Sequence, residues 1–371
     1  MKHTTDVAII GGGIIGCAVA YYLRKHAIDA LVLERGAIGS QASGAAAGLL
    51  APLGPLSAPG PLAELLISGL DILLTLLPEL EETAQMQVRY EQTGALRVVR
   101  NPKRVAHLRK RYEAWQTLGF SPCWLSGDEA RQRVPMLSPD VLAAVYAPEE
   151  GHISAPALVQ AYARAAQRLG AHLYTEQDVC HISIQQERVT GLQTAQGLEI
   201  SCRHLVLAAG AWSTICGQWL HAPLAVQPLQ GQMLALKQPE QSVQQIIFGE
   251  GAYIIPKGET VFVGATKEQA GLQPQVTAEG VAWLRASACK LLPSLADSPM
   301  VRAWAGIRPR TPDLRPLLGP LPGWENVFVA TGHNSVGVML SAITGKVIAD
   351  FILNREQPQL MQSFLPARFA Q

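Results

Sequence analysis

Apolar positions along this chain come in unbroken runs, alternating runs and runs with helical spacing. The runs at 7–10 and Ala30–Leu33 are unbroken, which predicts strands buried on both faces, and 14–23 between them predicts a helix. A Pro/Gly-rich loop at 51–61 precedes a predicted helix over 62–83, and a strand pair, 88–91 with Ala95–Val99, is expected across Thr93-Gly94. Helical spacing returns at 102–118, and Ser126-Gly-Asp-Glu129 is the cap of a further helix ending near Val134-Pro135. Strand is expected within 141–151, and Ser154-Ala-Pro156 caps a helix running to Leu169-Gly170 before a strand at 171–174. Alternation at Val179–Gln185, 189–194 and 198–202 predicts a small antiparallel meander, and the unbroken 205–209 a separate strand. Strands follow at 231–236, 252–255 and 261–264, a helix at 277–292 and a strand at 301–307. The run 327–332 then leads through Gly337 into a helix over 341–353.

The order strand, glycines, helix, strand, acid at the start carries chemistry. Gly11, Gly13 and Gly16 form G-x-G-x-x-G: the first makes a tight turn, the second lets backbone approach a phosphate, and the third lets helix pack on strand. The helix amino end presents N–H groups and a positive dipole to a diphosphate. Glu34, about twenty residues on, can accept hydrogen bonds from an adenosine ribose. A dinucleotide is therefore expected. Elements of this type recur in the middle and at the end of the chain, with strand-rich segments between them. The expected fold is α/β (α+β): a Rossmann-like dinucleotide domain of residues 1–85, 150–222 and 305–371, interwoven with a strand-rich domain of residues 86–149 and 223–304.

Composition narrows the ligand class. The 371 residues are 48% hydrophobic and carry a formal net charge of +1, which gives no electrostatic case for nucleic acid or an anionic membrane surface. Cys17, Cys123, Cys180, Cys202, Cys216 and Cys289 have neither metal-site nor disulfide-framework spacing, so free thiols, no metal and a cytoplasmic location are expected. Ile14-Ile-Gly-Cys17 looks like a lipoprotein cleavage site, but three consecutive glycines interrupt the apolar run and Glu34 completes a pattern that needs the segment retained. The apolar stretch at 62–77 contains Glu64, Ser68, Gly69 and Asp71, and no membrane span is expected.

Further motifs carry a resemblance: Ser43-Gly-Ala-Ala-Ala-Gly-Leu49, Leu205-Val-Leu-Ala-Ala-Gly-Ala-Trp-Ser213, Gly251-Ala-Tyr-Ile-Ile-Pro-Lys257 with Val263-Gly-Ala-Thr266, Trp304-Ala-Gly-Ile-Arg-Pro309 with Thr311 and Asp313, and Thr331-Gly-His-Asn-Ser-Val-Gly-Val338. In this order, over nearly the whole chain, they resemble the D-amino acid oxidase superfamily of flavoenzymes, and within it the bacterial glycine oxidases associated with thiamine biosynthesis. The resemblance implies non-covalent FAD, contacted by Ile14, Ile15, Glu34, Arg35, Ala42, Ser43, Ala47, Gly48, Leu49 and Val179, and by His333, Asn334, Ser335, Val336, Gly337, Val338 and Met339. Gly210, in the 205–213 motif, belongs to the same cofactor set. A small-residue run suits a backbone lying against a flat ring. The resemblance also implies a homo-oligomer, a tetramer or dimer.

For substrate, Arg308 matches the family cation that grips a carboxylate bidentately, and Tyr253 matches the family's carboxylate donor. Other readings of the same residues are an ordinary ion pair of Arg308 with Asp313 and a tyrosine on a strand face. The implied reaction is oxidative deamination of glycine or another small amino acid or amine, with oxygen, to the oxo acid, ammonia and hydrogen peroxide. The alternative is a flavin-dependent dehydrogenase of sarcosine, proline or a D-amino acid that uses another acceptor. One departure stands out: glycine oxidases of the Bacillus type carry an arginine where this chain has Ser335. Lys267, Arg302 and Arg310 are candidates to compensate, and His152 and His333 are candidate titrating groups.

Overall fold

The computed structural model describes residues 2–369. One eight-stranded sheet is built on the first strand, Lys2–Ile10, which pairs in parallel with Ala30–Leu33 on one side and Glu199–Leu207 on the other. His172–Tyr174 extends it beyond Ala30–Leu33, and Val327–Thr331 joins in parallel beyond Glu199–Leu207, with Leu317–Pro320 antiparallel at that edge. Alternation decides the two faces. Val7 and Ile9 point into a cluster shared with the helices Ile14–Lys25, Ala155–Arg168 and Ser341–Ile352, whereas Ala8 and Ile10 point into a second cluster under the meander.

The meander forms as expected, with one difference. The stretches 198–202 and 205–209 are parts of a single strand, Glu199–Leu207. Its first half is exposed on alternate residues and pairs antiparallel with Gly191–Gln193, and its second half is buried on both faces. The change in burial period reads as two elements, although no turn residue separates them.

The second sheet also has eight strands, ordered Met300–Arg310, Gln227–Lys237, Thr260–Gly264, Tyr253–Lys257, Ile246–Phe248, Ala95–Val99, Ala143–Ala147 and Cys123–Ser126. The expected pair of 88–91 with Ala95–Val99 does not form. Arg89 has φ +58, outside the extended region, Glu91 makes only a single bridge to His152, and Ala95–Val99 pairs instead with Ala143–Ala147 and Ile246–Phe248. Proximity in sequence loses here to long-range pairing of a strand buried along its whole length.

The caps act as predicted: Ser126 and Glu129 form a reciprocal capping box, Ser154 accepts from the Ala157 N–H, and Thr277 accepts from the Gly280 N–H. The helix Pro61–Ala84 is long and apolar enough to cross a bilayer by length and composition alone. In this fold its apolar stripe, including Leu65, Leu66, Leu73, Leu77 and Leu80, is buried in the protein core against Ala155–Arg168 and Ser341–Ile352.

Candidate active site

A cavity of about 1370 Å³ is lined from both sheets. It is larger than the ~300–1,000 Å³ of a pocket for one drug-sized ligand.

On the wall built by the first sheet, Ile10 leads into Gly11, whose φ of +110 and approach to Ala208 leave no room for a side chain: a Cβ there would lie 2.5 Å from the Ala208 carbonyl oxygen. A Cβ on Gly13 would meet only Ser43 Oγ, at 3.3 Å, so backbone is bare to the cavity where a phosphate is expected. The helix that follows has no side-chain cap at Gly13, and Ile14 N–H donates to Ser43 Oγ at 3.0 Å. Glu34 is buried: its Oε2 accepts from Gly12 N–H at 2.7 Å and its Oε1 from Gly36 N–H at 2.9 Å. Each oxygen retains a lone pair for a hydroxyl. Arg35 stacks on Trp212, its guanidinium carbon 4.0 Å from the ring centre.

Ala42, Ser43, Ala47, Gly48 and Leu49 form the next part of the wall. Gly48, at φ +77, packs so closely on Ile153 that a Cβ would lie 1.8 Å from its carbonyl oxygen. Ile14, Ile15, Val179, Gly210 and His333 to Met339 complete this side. Gly16 is the exception among the expected cofactor residues. It does not line the cavity; its Cα faces the Gly11 carbonyl, where a Cβ would lie at 1.9 Å, so its part is the helix–strand packing alone. His333 is buried with Nε2 2.9 Å from Thr344 Oγ1, and burial drives its pKa down to about 3. His152 stands off the cavity wall beside Lys257 Nζ at 3.1 Å, and burial with that neighbour lowers it to about 3 as well. Both imidazoles are neutral structural groups near pH 7.

The second sheet supplies the polar half. Arg308 projects from Met300–Arg310, and its Nη1 reaches the carbonyls of Thr266 at 3.3 Å and Gln230 at 3.5 Å. The guanidinium lies over Gly231, where a Cβ would sit 2.2 Å from Nη1. Asp313 is not its partner: that carboxylate holds Arg368 at 2.9 Å and Arg315 at 3.6 Å, and among the described residues Arg308 has no carboxylate partner. Arg308 is thus a cation on a cavity wall, held by backbone carbonyls and by its neighbour Tyr253. Tyr253 lies beside it, with its hydroxyl 3.3 Å from Met233 Sδ, a weak acceptor. Burial raises the phenol pKa and Arg308 partly offsets the rise, so the hydroxyl stays protonated and able to donate. Gly264 makes room for it, since a Cβ there would lie 2.6 Å from the Tyr253 hydroxyl.

Ser335, Lys267 and Arg310 line the cavity as well, whereas Arg302 stacks on Trp304 at 4.3 Å on the exposed part of its strand. Gly231 and, behind Arg308, the cluster of Gln230, Gln232 and Glu268 were not singled out from the sequence, whereas Gly264 and Thr266 lie in the Val263-Gly-Ala-Thr266 motif. In that cluster Glu268 accepts from the amides of Gln230 and Gln232 at 2.9 Å, and Gln232 N–H donates to Thr266 Oγ1 at 2.8 Å. The available signal was an isolated glycine within a strand run, which marks close approach of another group.

The wall fits an adenine dinucleotide bearing a flat ring system. It offers an uncapped helix start, a buried acid with spare lone pairs and a stretch of backbone with almost no side chains. The family model of FAD dependent oxidoreductases, DAO, matches residues 6–351. A glycine oxidase of Geobacillus kaustophilus is 33% identical over 359 residues, covering 96% of this chain and 95% of that protein. The crystal structure of glycine oxidase from Geobacillus kaustophilus superposes with a TM-score of 0.95 at 32% identity, covering all of both chains. A bifunctional protein ThiO/ThiG of Synechocystis is 34% identical over 378 residues, covering the whole of this chain and 55% of that protein. The chain belongs to the DAO family of FAD-dependent oxidoreductases and is an FAD-dependent amino-acid oxidase by family and fold.

Proposed function

We propose that this enzyme oxidises glycine or a similarly small amino acid to the oxo acid, ammonia and hydrogen peroxide, glyoxylate being the product from glycine. The observation that carries the reading is Arg308: a cation on the cavity wall without a carboxylate partner, beside a protonated Tyr253. FAD, when bound, supplies the redox chemistry, accepting a hydride from the substrate Cα and passing two electrons to oxygen. The chain's residues do the positioning. Arg308 and Tyr253 hold the substrate carboxylate by charge-assisted and neutral hydrogen bonds and so fix the direction of the Cα–H. Arg308 has a second effect: a nearby guanidinium disfavours an ammonium, so the bound amine is held in the neutral form needed for hydride loss. Water then hydrolyses the product imine, releasing ammonia.

The cofactor groups proposed are those on the first wall, from Gly11 to Leu49, with Val179, Gly210 and His333 to Met339. The proposed division into domains follows the two sheets, with Met300–Arg310 belonging to the second sheet through Arg310. A homo-oligomer in the cytoplasm, with FAD held non-covalently, completes the reading. Hydrogen peroxide release from glycine by purified holoenzyme is the test. Reduction by glycine with negligible oxygen consumption, and turnover only with an added acceptor, would instead establish the dehydrogenase.

A further inference from the structure

The cavity continues past the carboxylate anchor. Phe248 lies beside Tyr253, ring centres 6.0 Å apart, and the Arg97 guanidinium carbon stands 4.6 Å from the centre of the Phe248 ring. Arg97 is buried and neutralised by a bidentate pair with Glu150. Beyond it the wall is one face of the helix Pro102–Thr117, where Arg104, His107, Leu108 and Arg111 recur at i, i+3, i+4 and i+7.

Arg111 is the informative member. Its Nη2 donates to the carbonyls of Leu53, Gly54 and Leu56 at 2.8, 2.7 and 3.2 Å, and its guanidinium carbon lies 4.8 Å over Trp115. Its Nε is buried without a partner, and among the described residues no carboxylate pairs with it. Burial and the neighbouring Arg97 both disfavour its charge. Arg104 has only a long contact to Glu250, 3.8 Å, at an exposed position. Of the seven arginine and lysine side chains that line the cavity against three carboxylates, Arg97 is already paired with Glu150, and Arg104 and Arg111 stand together on this one stretch of wall. A basic face lining a cavity attracts and orients anions.

We infer that the Arg104–His107–Arg111 face of this helix holds a second carboxylate of the substrate, so that the preferred substrates are amino acids or N-substituted glycines with a distal acid group. This rests on the oxidase reading above and extends it to substrate class. A substrate anchored at Arg308 and Tyr253 would pass along Phe248 and place its far carboxylate against Arg111.

Anaerobic flavin reduction of the holoenzyme tests this with matched pairs: iminodiacetate against its monoamide and D-glutamate against D-glutamine, with glycine as reference. The acid of each pair is expected to exceed its amide at least about tenfold in limiting rate over apparent Kd, equivalent to ~1.4 kcal/mol. Arg111→Gln and, separately, the exposed Arg104→Gln are expected to shrink that ratio; the second variant covers the case in which losing the bonds to Leu53 and Gly54 prevents folding. Equal reduction by acid and amide, reduction by glycine alone, or a ratio unchanged in Arg104→Gln and a folded Arg111→Gln would overturn the subsite and leave the oxidase reading standing. If no amine reduces the flavin, both fall.

Discussion

The cofactor wall and the substrate wall of the cavity are built on opposite principles. The first is made of backbone: Gly11 and Gly48 sit where a single added carbon would lie 2.5 and 1.8 Å from a carbonyl oxygen, and behind the wall Gly16 packs helix on strand with the same clearance problem, at 1.9 Å. The second is made of side chains, Arg308 and Tyr253, held over glycines in neighbouring strands, and a basic helix face beyond them. Backbone walls tolerate almost no substitution, because the clash lies with atoms that cannot rotate away. Side-chain walls can change charge without changing the fold. Ser335 sits between the two: it belongs to the loop His333 to Met339 and lines the shared cavity.

The harshest way to break the contrast is Gly16→Ala, which is expected to destabilise the protein by on the order of 3 kcal/mol or more. Gly13→Val, a few residues away, meets only the Ser43 hydroxyl, 3.3 Å from the added Cβ, and is expected to fold with a much smaller loss of Tm while losing FAD. Thermal melts and flavin content of the two purified variants decide it; a Gly13→Val protein that keeps its flavin would show that backbone access at that turn is not needed.

On the other wall, Arg308→Ala should fold and retain FAD yet lose on the order of 10²–10³-fold in kcat/KM, corresponding to ~3–4 kcal/mol, within the range for removing one partner of a buried charge pair. Tyr253→Phe is milder, about tenfold, since it removes one hydrogen bond worth ~0.5–1.5 kcal/mol. Steady-state kinetics should show the loss mainly in KM if the hydroxyl holds the ground-state carboxylate, and equal losses in kcat and kcat/KM if it acts only in the transition state.

How much of this was legible in the sequence follows the same division. Gly11, Gly13 and Glu34 could be assigned because local spacing alone dictates their geometry. The helix caps at Ser126, Ser154 and Thr277 were equally readable. Arg308 and Tyr253 could be named only through resemblance, because the pairings of Met300–Arg310 with Gln227–Lys237, of that strand with Thr260–Gly264, and of Thr260–Gly264 with Tyr253–Lys257 bring them together across the sequence. The false hairpin at 88–91 and the strand split in two at 203–204 have the same origin, since pairing partners far along the chain overrode local signals. Arg111 is legible as a basic position on an amphipathic helix, but only the fold places that face against the cavity rather than solvent.

The most gradual effect, small at each pH step, concerns the loop that holds His333. His333 titrates near about 3 when folded and near the ordinary 6.5 when unfolded, so the unfolded chain takes up the proton first as pH falls. Stability is full above about pH 6.5 and declines between there and about 3, by up to about 1.4 kcal/mol per pH unit. His152 adds a decline in the same window. Melts between pH 7 and pH 5 should show a shallower slope for His333→Asn, which cannot titrate; an identical slope would place the acid sensitivity elsewhere.

The central claim is that a carboxylate held at Arg308 presents its amine to the flavin. Anaerobic mixing of the holoenzyme with glycine and with methylamine, its counterpart without a carboxylate, tests it most directly. Bleaching of the flavin by glycine, absent with methylamine and abolished at the same concentration in Arg308→Ala, is the predicted result. Equal bleaching by the two amines, or undiminished bleaching in flavin-loaded Arg308→Ala, would contradict it.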